Sequence, residues 1–235
     1  MTRKLLLHAG GDLSSAMDDI AAHLAHAQHA VFIPFAAHDH EAYSVLVSER
    51  MATAGVRLEG LHRAHEPANA IAAADAIIVG GGNSFRLVRE LHRRMLLDPI
   101  RRRVADGVPY FGASAGANVA CPTIRTTNDM PIVQPPSFDA LNLVPFQINP
   151  HYIDPVPPEQ RVGETRLQRL EEFLEENEAA VVALREGSWL VVDGDSMRLR
   201  GTTGAMLFQW GAPPRAAAPG EDLSHLLALT PRFDI

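Results

Sequence analysis

A chain of 235 residues with 46% hydrophobic side chains has enough apolar mass for one sizeable core, and it is read as a single α/β domain over 1–235. Its net charge of -7 excludes generic nucleic-acid binding, which needs a basic surface to neutralise phosphates. No segment approaches the roughly 18 apolar residues of a membrane helix, the run KLLL near the N-terminus is too short for a signal peptide, and one cysteine, Cys121, excludes an internal disulfide, so a reducing cytoplasm is the expected compartment.

Residues 4–7 (KLLL) predict a first strand, ended by the turn HAGGD. SSAMDDIAAHLAHA then places Met17, Ile20 and Leu24 near helical spacing behind a serine cap. HAVFIPFAA reads as a buried strand, followed by a helix over 41–54 that Gly55 stops. GVRLEGLHR is a strand, and NAIAAAD is a short helix passing into the strand AIIVG. SFRLVRELHRRMLL sets Phe85, Leu87, Val88, Leu91 and Met95 on one helical face; VPYFG is the next strand, and ANVA opens the helix behind it. This alternation implies a mainly parallel sheet covered by helices on both faces. Beyond residue 120 the rhythm changes to Pro- and Asn-rich loops around one strand near LVPFQI. A helix in TRLQRLEEFLEENE follows, then the strands AVVAL, WLVVDGDSMRL and AMLFQW, with a hairpin turn at Asp193-Gly194-Asp195. The Pro/Ala-rich stretch 212–222 reads as a surface loop.

Two glycine-rich turns end predicted strands. Gly112-Ala113-Ser114-Ala115-Gly116 fits G-x-S-x-G, in which a serine on a sharp strand-to-helix turn is exposed with a helix N-terminus behind it. A close strand–helix packing of small residues is the competing reading. Gly80-Gly81-Gly82-Asn83 fails as a dinucleotide fingerprint, because Phe85 stands where the third glycine belongs, and fails as a phosphate loop for want of Gly-Lys. Lys4 is the only lysine, far from either turn. Both turns belong at the carboxyl edge of a parallel sheet, where one can carry a nucleophile and the other offer a backbone N–H.

A serine nucleophile needs a base, and the base an orienting carboxylate. His23, His26 and His29 read as helix-surface residues; His38, His40, His62, His65 and His92 read as solvated. Two candidates follow Ser114: His151 in INPHYID and His225 in LSHLL. The order Ser, acid, His would pair His225 with an acid such as Asp193; the order Ser, His, acid needs a different fold. Cys121 reads as a small buried residue.

The segments GASAGANVACPTIRTTNDMPIV, VGGGNSF, FQINPHY, GETRLQR and LREGSW together resemble the peptidase E group of aspartyl dipeptidases, serine peptidase family S51, most densely from Ile77 to Trp189. The resemblance implies a flavodoxin-like, doubly wound fold related to class I glutamine amidotransferases. It also implies cytoplasmic homodimers, cleavage of dipeptides with N-terminal aspartate, and no metal or organic cofactor. It selects Ser114 as nucleophile, His151 as base and Glu186 as third member, with Asp129 a competing acid. The oxyanion would meet the amides of Ala115 and Gly82. Arg166 of GETR would grip the substrate aspartate, with Asn83 and Asp129 also at the substrate. One departure stands out: family members often carry tryptophan before the nucleophile, and this chain has Ala113. A cyanophycinase-like acyl hydrolase and a non-catalytic binding protein of the same fold are the alternative readings.

Overall fold

The computed structural model describes residues 3–157 and 163–234. In chain order it runs β1 (Lys4–His8), α1 (Met17–His23), β2 (Ala30–Ile33), α2 (His40–Ala52), β3 (Leu58–Gly60), α3 (Pro67–Ala73), β4 (Ala76–Val79), α4 (Ser84–Arg93), α5 (Leu97–Ala105), β5 (Tyr110–Ala113) and α6 (Ala115–Asn118). It continues with β6 (Gln147–Asn149), α7 (Arg166–Glu175), β7 (Asn177–Glu178), β8 (Ala180–Leu184), β9 (Ser188–Asp193), β10 (Ser196–Gly201), β11 (Ala205–Gln209), β12 (Ala212–Ala217) and β13 (Arg232–Phe233).

Among the described residues the main sheet has the order β10-β9-β1-β5-β4-β2-β3. The pairings from β1 through β5, β4 and β2 to β3 are parallel, while β9 and β10 join as an antiparallel hairpin on the β1 side. Strict alternation splits the core between the two faces. Leu5, Leu7, Val31, Ile33, Ile77, Val79 and Tyr110 point to the face covered by α4 and α5, where Leu87, Val88, Leu91, Ile100 and Val104 are buried. Leu6, Phe32, Ile78 and Phe111 point to the other face, under Ile20 of α1 and Met51 of α2. Burial on both sides is why these strands read as continuous apolar runs, and the doubly covered sheet expected from sequence is the one found.

The C-terminal strands do not all extend this sheet. β6, β8, β11 and β12 form a second sheet in the order β12-β11-β8-β6, with β6 and β8 parallel. Three local expectations are corrected. The stretch 212–222 begins as strand β12 despite its prolines, because an edge strand needs no donor on its outer side. α4 stops at Arg93, and Met95 sits in a left-handed turn, exposed, rather than on the apolar face. His23 is half-buried, its Nε2 3.1 Å from the carbonyl oxygen of Tyr110, rather than a surface residue.

Candidate active site

Four turns meet at the carboxyl edge of the main sheet. Ser114 follows β5 with φ 54° and ψ −111°, a conformation that non-glycine residues rarely adopt. Its neighbours explain how the turn is held. A Cβ at Gly112 would stand 2.4 Å from the carbonyl oxygen of Gly116, and one at Gly116 would stand 2.2 Å from that of Val79. Only hydrogen fits at either position, so the G-x-S-x-G glycines are a steric requirement. Tyr110 Oη donates to the Gly116 carbonyl at 2.7 Å, tying strand to helix.

His151 comes from the second sheet. The parallel pairing of β6 with β8 and the bond from Tyr152 N to the Leu184 carbonyl bring the turn after β6 beside the turn after β8. Asn128 Nδ2 donates to the Pro150 carbonyl at 2.6 Å and Asn149 Nδ2 to Asn128 Oδ1, fixing the loop that presents the imidazole. His151 itself has φ 55°. Its Nε2 lies 2.8 Å from Ser114 Oγ and its Nδ1 2.7 Å from Glu186 Oε1. Glu186 is held through its backbone, where Thr203 Oγ1 donates to its carbonyl, while its side chain stays largely exposed. A hydroxyl, an imidazole and a carboxylate thus form one hydrogen-bonded line. Such a line can move the serine proton onto nitrogen as the oxygen attacks.

The floor beneath this line is the turn after β1. A Cβ on Gly10 would lie 2.5 Å from His151 Nε2, and one on Gly11 2.9 Å from Glu186 Oε2. The sequence reading took these glycines only as a turn. His8, which precedes them, is fully buried, stacks on Trp189 with ring centroids 5.5 Å apart and accepts from Gly10 N at 3.0 Å through Nδ1. Burial, and then the neighbouring His151, lowers its pKa from 6.5 to about 4. Unfolded His8 binds a proton near 6.5 and folded His8 only near 4. Between those values the unfolded state holds more protons, so stability falls as pH falls. The loss amounts to about 3 kcal/mol. The expected result is a urea midpoint that drops more steeply from pH 7 to pH 4 in the native chain than in His8→Asn, which keeps an acceptor for Gly10. Equal slopes would remove His8 as the cause.

The model of peptidase family S51 matches residues 5–200. The chain belongs to that family. It is 50% identical over 227 residues to Peptidase E of Streptomyces coelicolor, covering 97% of this chain and 93% of that one. It is 44% identical to the Drosophila melanogaster protein named "Probable alpha-aspartyl dipeptidase", covering 94% and 91%. A crystal structure from Listeria monocytogenes EGD-e aligns over 86% of this chain and 99% of its own with a TM-score of 0.68 at 23% identity, a likeness of fold alone. As a family S51 member the chain is a serine-type peptidase.

Around this S51 site the remaining candidates divide. Asp129 does not touch His151; its Oδ2 accepts from Ser84 N at 2.6 Å and from Thr127 Oγ1 at 3.1 Å, which fastens the 127–130 loop to the start of α4. Asn83 caps the same helix, accepting from Arg86 N through Oδ1 and donating to the Met130 carbonyl through Nδ2. Both amide atoms are thus engaged in shaping the wall, a task that the sequence reading did not assign to it. Arg166 opens α7 behind a capping box of Thr165 and Gln168, half-buried and without an ion pair among the described residues. Burial, then Arg169, lowers its pKa, and Asp129 opposes them. Gly82 has φ 127° and a Cβ there would meet the Ala36 carbonyl at 2.6 Å, while Gly81 packs against Ser114 Cβ. Among the described residues neither Gly82 N nor Ala115 N has a backbone acceptor.

His225 is exposed on the short turn Ser224–Ala228 packed against β10, the sheet's edge strand, and Asp193 pairs with Lys4 at the opposite end of β1 from His8. Neither contacts Ser114. Cys121 is buried, and desolvation pushes its thiol well above the usual range, as a packing residue requires. The Pro- and Asn-rich loops beyond residue 120 run up to residues 158–162, which lie outside the described residues. Among the described residues no helix is long and apolar enough to cross a membrane.

Proposed function

We propose that this chain hydrolyses Asp-X dipeptides through Ser114, His151 and Glu186. The unbroken line from Ser114 Oγ to Glu186 Oε1 carries the reading, and the names borne by its relatives supply the substrate class. The Ser114 proton passes to His151 Nε2 as Oγ bonds to the peptide carbonyl carbon. Glu186 holds Nδ1–H and favours the imidazolium. The oxyanion meets the amides of Ala115, at the N-terminus of α6, and Gly82, each worth about 10² to 10³ in rate. The C–N bond then breaks, and the Nε2 proton leaves on the amine of residue X. Water repeats the sequence: its proton goes to Nε2, its oxygen to the acyl carbon, and the Ser114 ester opens to free aspartate and the serine hydroxyl.

Arg166 supplies the guanidinium for the substrate's side-chain carboxylate, since a partly desolvated arginine with no ion pair among the described residues is suited to a bidentate grip. Asp129 and Asn83 hold the facing loop. The resemblance supports the same reading of a cytoplasmic homodimer, and light scattering on the purified chain checks its assembly.

Hydrolysis of Asp-Leu, Glu-Leu and β-aspartyl-leucine by the native chain tests the proposal. Turnover of the α-aspartyl peptide alone is expected. Preference for the β-linkage would assign a cyanophycinase-like activity instead, and no turnover of any peptide would leave a binding protein. Arg166→Ala is expected to lower kcat/KM for Asp-Leu by about 10²-fold, mainly through KM; an unchanged KM would remove Arg166 from the substrate.

A further inference from the structure

On the α1/α2 face of the main sheet, directly beside the nucleophile, lies a cavity of about 120 Å³. Phe32, Ile78, Phe111 and Ala113 form its floor, one from each successive strand or position that points to this face. Val47 and Met51 of α2 form its roof. Its rim is Ser114 with Gly10, Gly11, Gly80 and Gly81, the turns that carry the reacting groups. The lining is apolar apart from that rim, Tyr43, whose hydroxyl lies against Gly80, and Arg50.

The floor is deep because of one residue. Ala113 follows Phe111 on the same side of β5, so its Cβ is all that occupies the position nearest Ser114. An apolar cavity of this size is somewhat smaller than the roughly 150 Å³ space that accepts benzene, and suits a branched aliphatic side chain better than water, which would find few partners. Arg50 is exposed and forms no ion pair among the described residues. Asp12, the acid near it, is bonded to Ser14 through its amide at 3.0 Å and its hydroxyl at 2.6 Å.

The cavity lies beside the imidazole. His151 Nε2, which protonates the departing amine, sits against Gly10 on the cavity rim. Arg166 and Asp129 are electrostatic neighbours, and Asp129 is bonded to the start of α4, on the opposite face of the sheet. The two halves of a dipeptide attacked by Ser114 therefore diverge. We propose that the cavity is the subsite for residue X, taking an apolar, preferably branched, side chain, with Arg50 at its mouth meeting the C-terminal carboxylate. This rests on the Asp-X reading above and adds to it which dipeptides are favoured.

The test is kcat/KM for Asp-Gly and Asp-Leu in the native chain and in two variants that fill the cavity from opposite sides, Ala113→Trp in the floor and Val47→Phe in the roof. The native chain is expected to favour Asp-Leu by about tenfold or more, and both variants to bring the ratio to within about twofold. Val47→Phe leaves the elbow sequence intact, so it decides the matter if Ala113→Trp disturbs Ser114. Arg50→Gln is expected to raise KM about tenfold for Asp-Leu but not for Asp-leucinamide, which lacks the carboxylate. Equal use of Asp-Gly and Asp-Leu by the native chain, or a ratio that survives in Val47→Phe, would overturn the subsite while leaving Asp-X hydrolysis standing. Failure of the native chain to cleave either peptide would sink the Asp-X reading, and the subsite with it.

Discussion

Ser114→Ala is expected to lower kcat/KM for Asp-Leu by about 10⁴- to 10⁶-fold under the proposed mechanism, and His151→Ala to do nearly the same. The two losses do not add, because a hydroxyl without its base and a base without its hydroxyl are equally idle; the double variant should match either single one. Glu186→Gln keeps the shape but trades the carboxylate proposed to favour the imidazolium for an amide, and a rate loss of about 10²- to 10⁴-fold is expected. Asp129→Asn should cost far less, since Asp129 bonds to Ser84 N and Thr127 and not to His151. If Asp129→Asn were the more damaging of the two, the carboxylate assignments would be reversed. Stability moves separately: Ser114 has φ 54°, so Ser114→Gly should be inactive yet more stable by about 1 kcal/mol, while Ser114→Ala keeps the strain.

Gly116→Ala is the second large effect, and it acts through backbone alone. Gly116 is buried in α6, and the added methyl would stand 2.2 Å from the Val79 carbonyl oxygen. Neither partner is a side chain that can turn aside, so α6 must move off β4, carrying Ala115 and the end of the Ser114 turn with it. A loss of about 3 kcal/mol or more in unfolding free energy is expected, with turnover falling at least about 10²-fold in whatever remains folded. Gly211→Ala provides the contrast. Its φ is 72° but nothing lies within 4 Å of the new Cβ, so it should cost about 1 kcal/mol and leave turnover intact. Urea unfolding and Asp-Leu assays of the two variants check both statements; a Gly116→Ala chain as stable as Gly211→Ala would mean that the helix has room that the structure denies it.

The parallel half of the fold was legible because its strands are buried on both faces, so AVFI, AIIV and YFGA carry their own signature. α5 is not legible in the sequence, because LDPIRRRVA carries a run of three arginines and a proline; its stripe of Leu97, Ile100 and Val104 becomes visible only beside the sheet it covers. β12 was hidden by two prolines, which an edge strand tolerates. The glycine elbow could be named from spacing, but not whether Glu186 or Asp129 faces the histidine. Both are acids in loops, and the choice is made by a turn after β8 that pairs with the turn after β6. Gly10 and Gly11 were missed for the same reason: what they make room for, His151 and Glu186, lies more than 130 residues away in sequence.

The line of three groups is split between two sheets, the Ser114 hydroxyl at the end of β5 and the imidazole and carboxylate on turns after β6 and β8. Neither sheet alone carries a working set. During refolding, then, backbone signals can recover as each sheet closes on itself, but hydrolysis through these three groups is expected to return only when the two have docked to within a hydrogen bond's length. If the proposed line does the chemistry, a chain with one sheet still open would leave the peptides around it uncut.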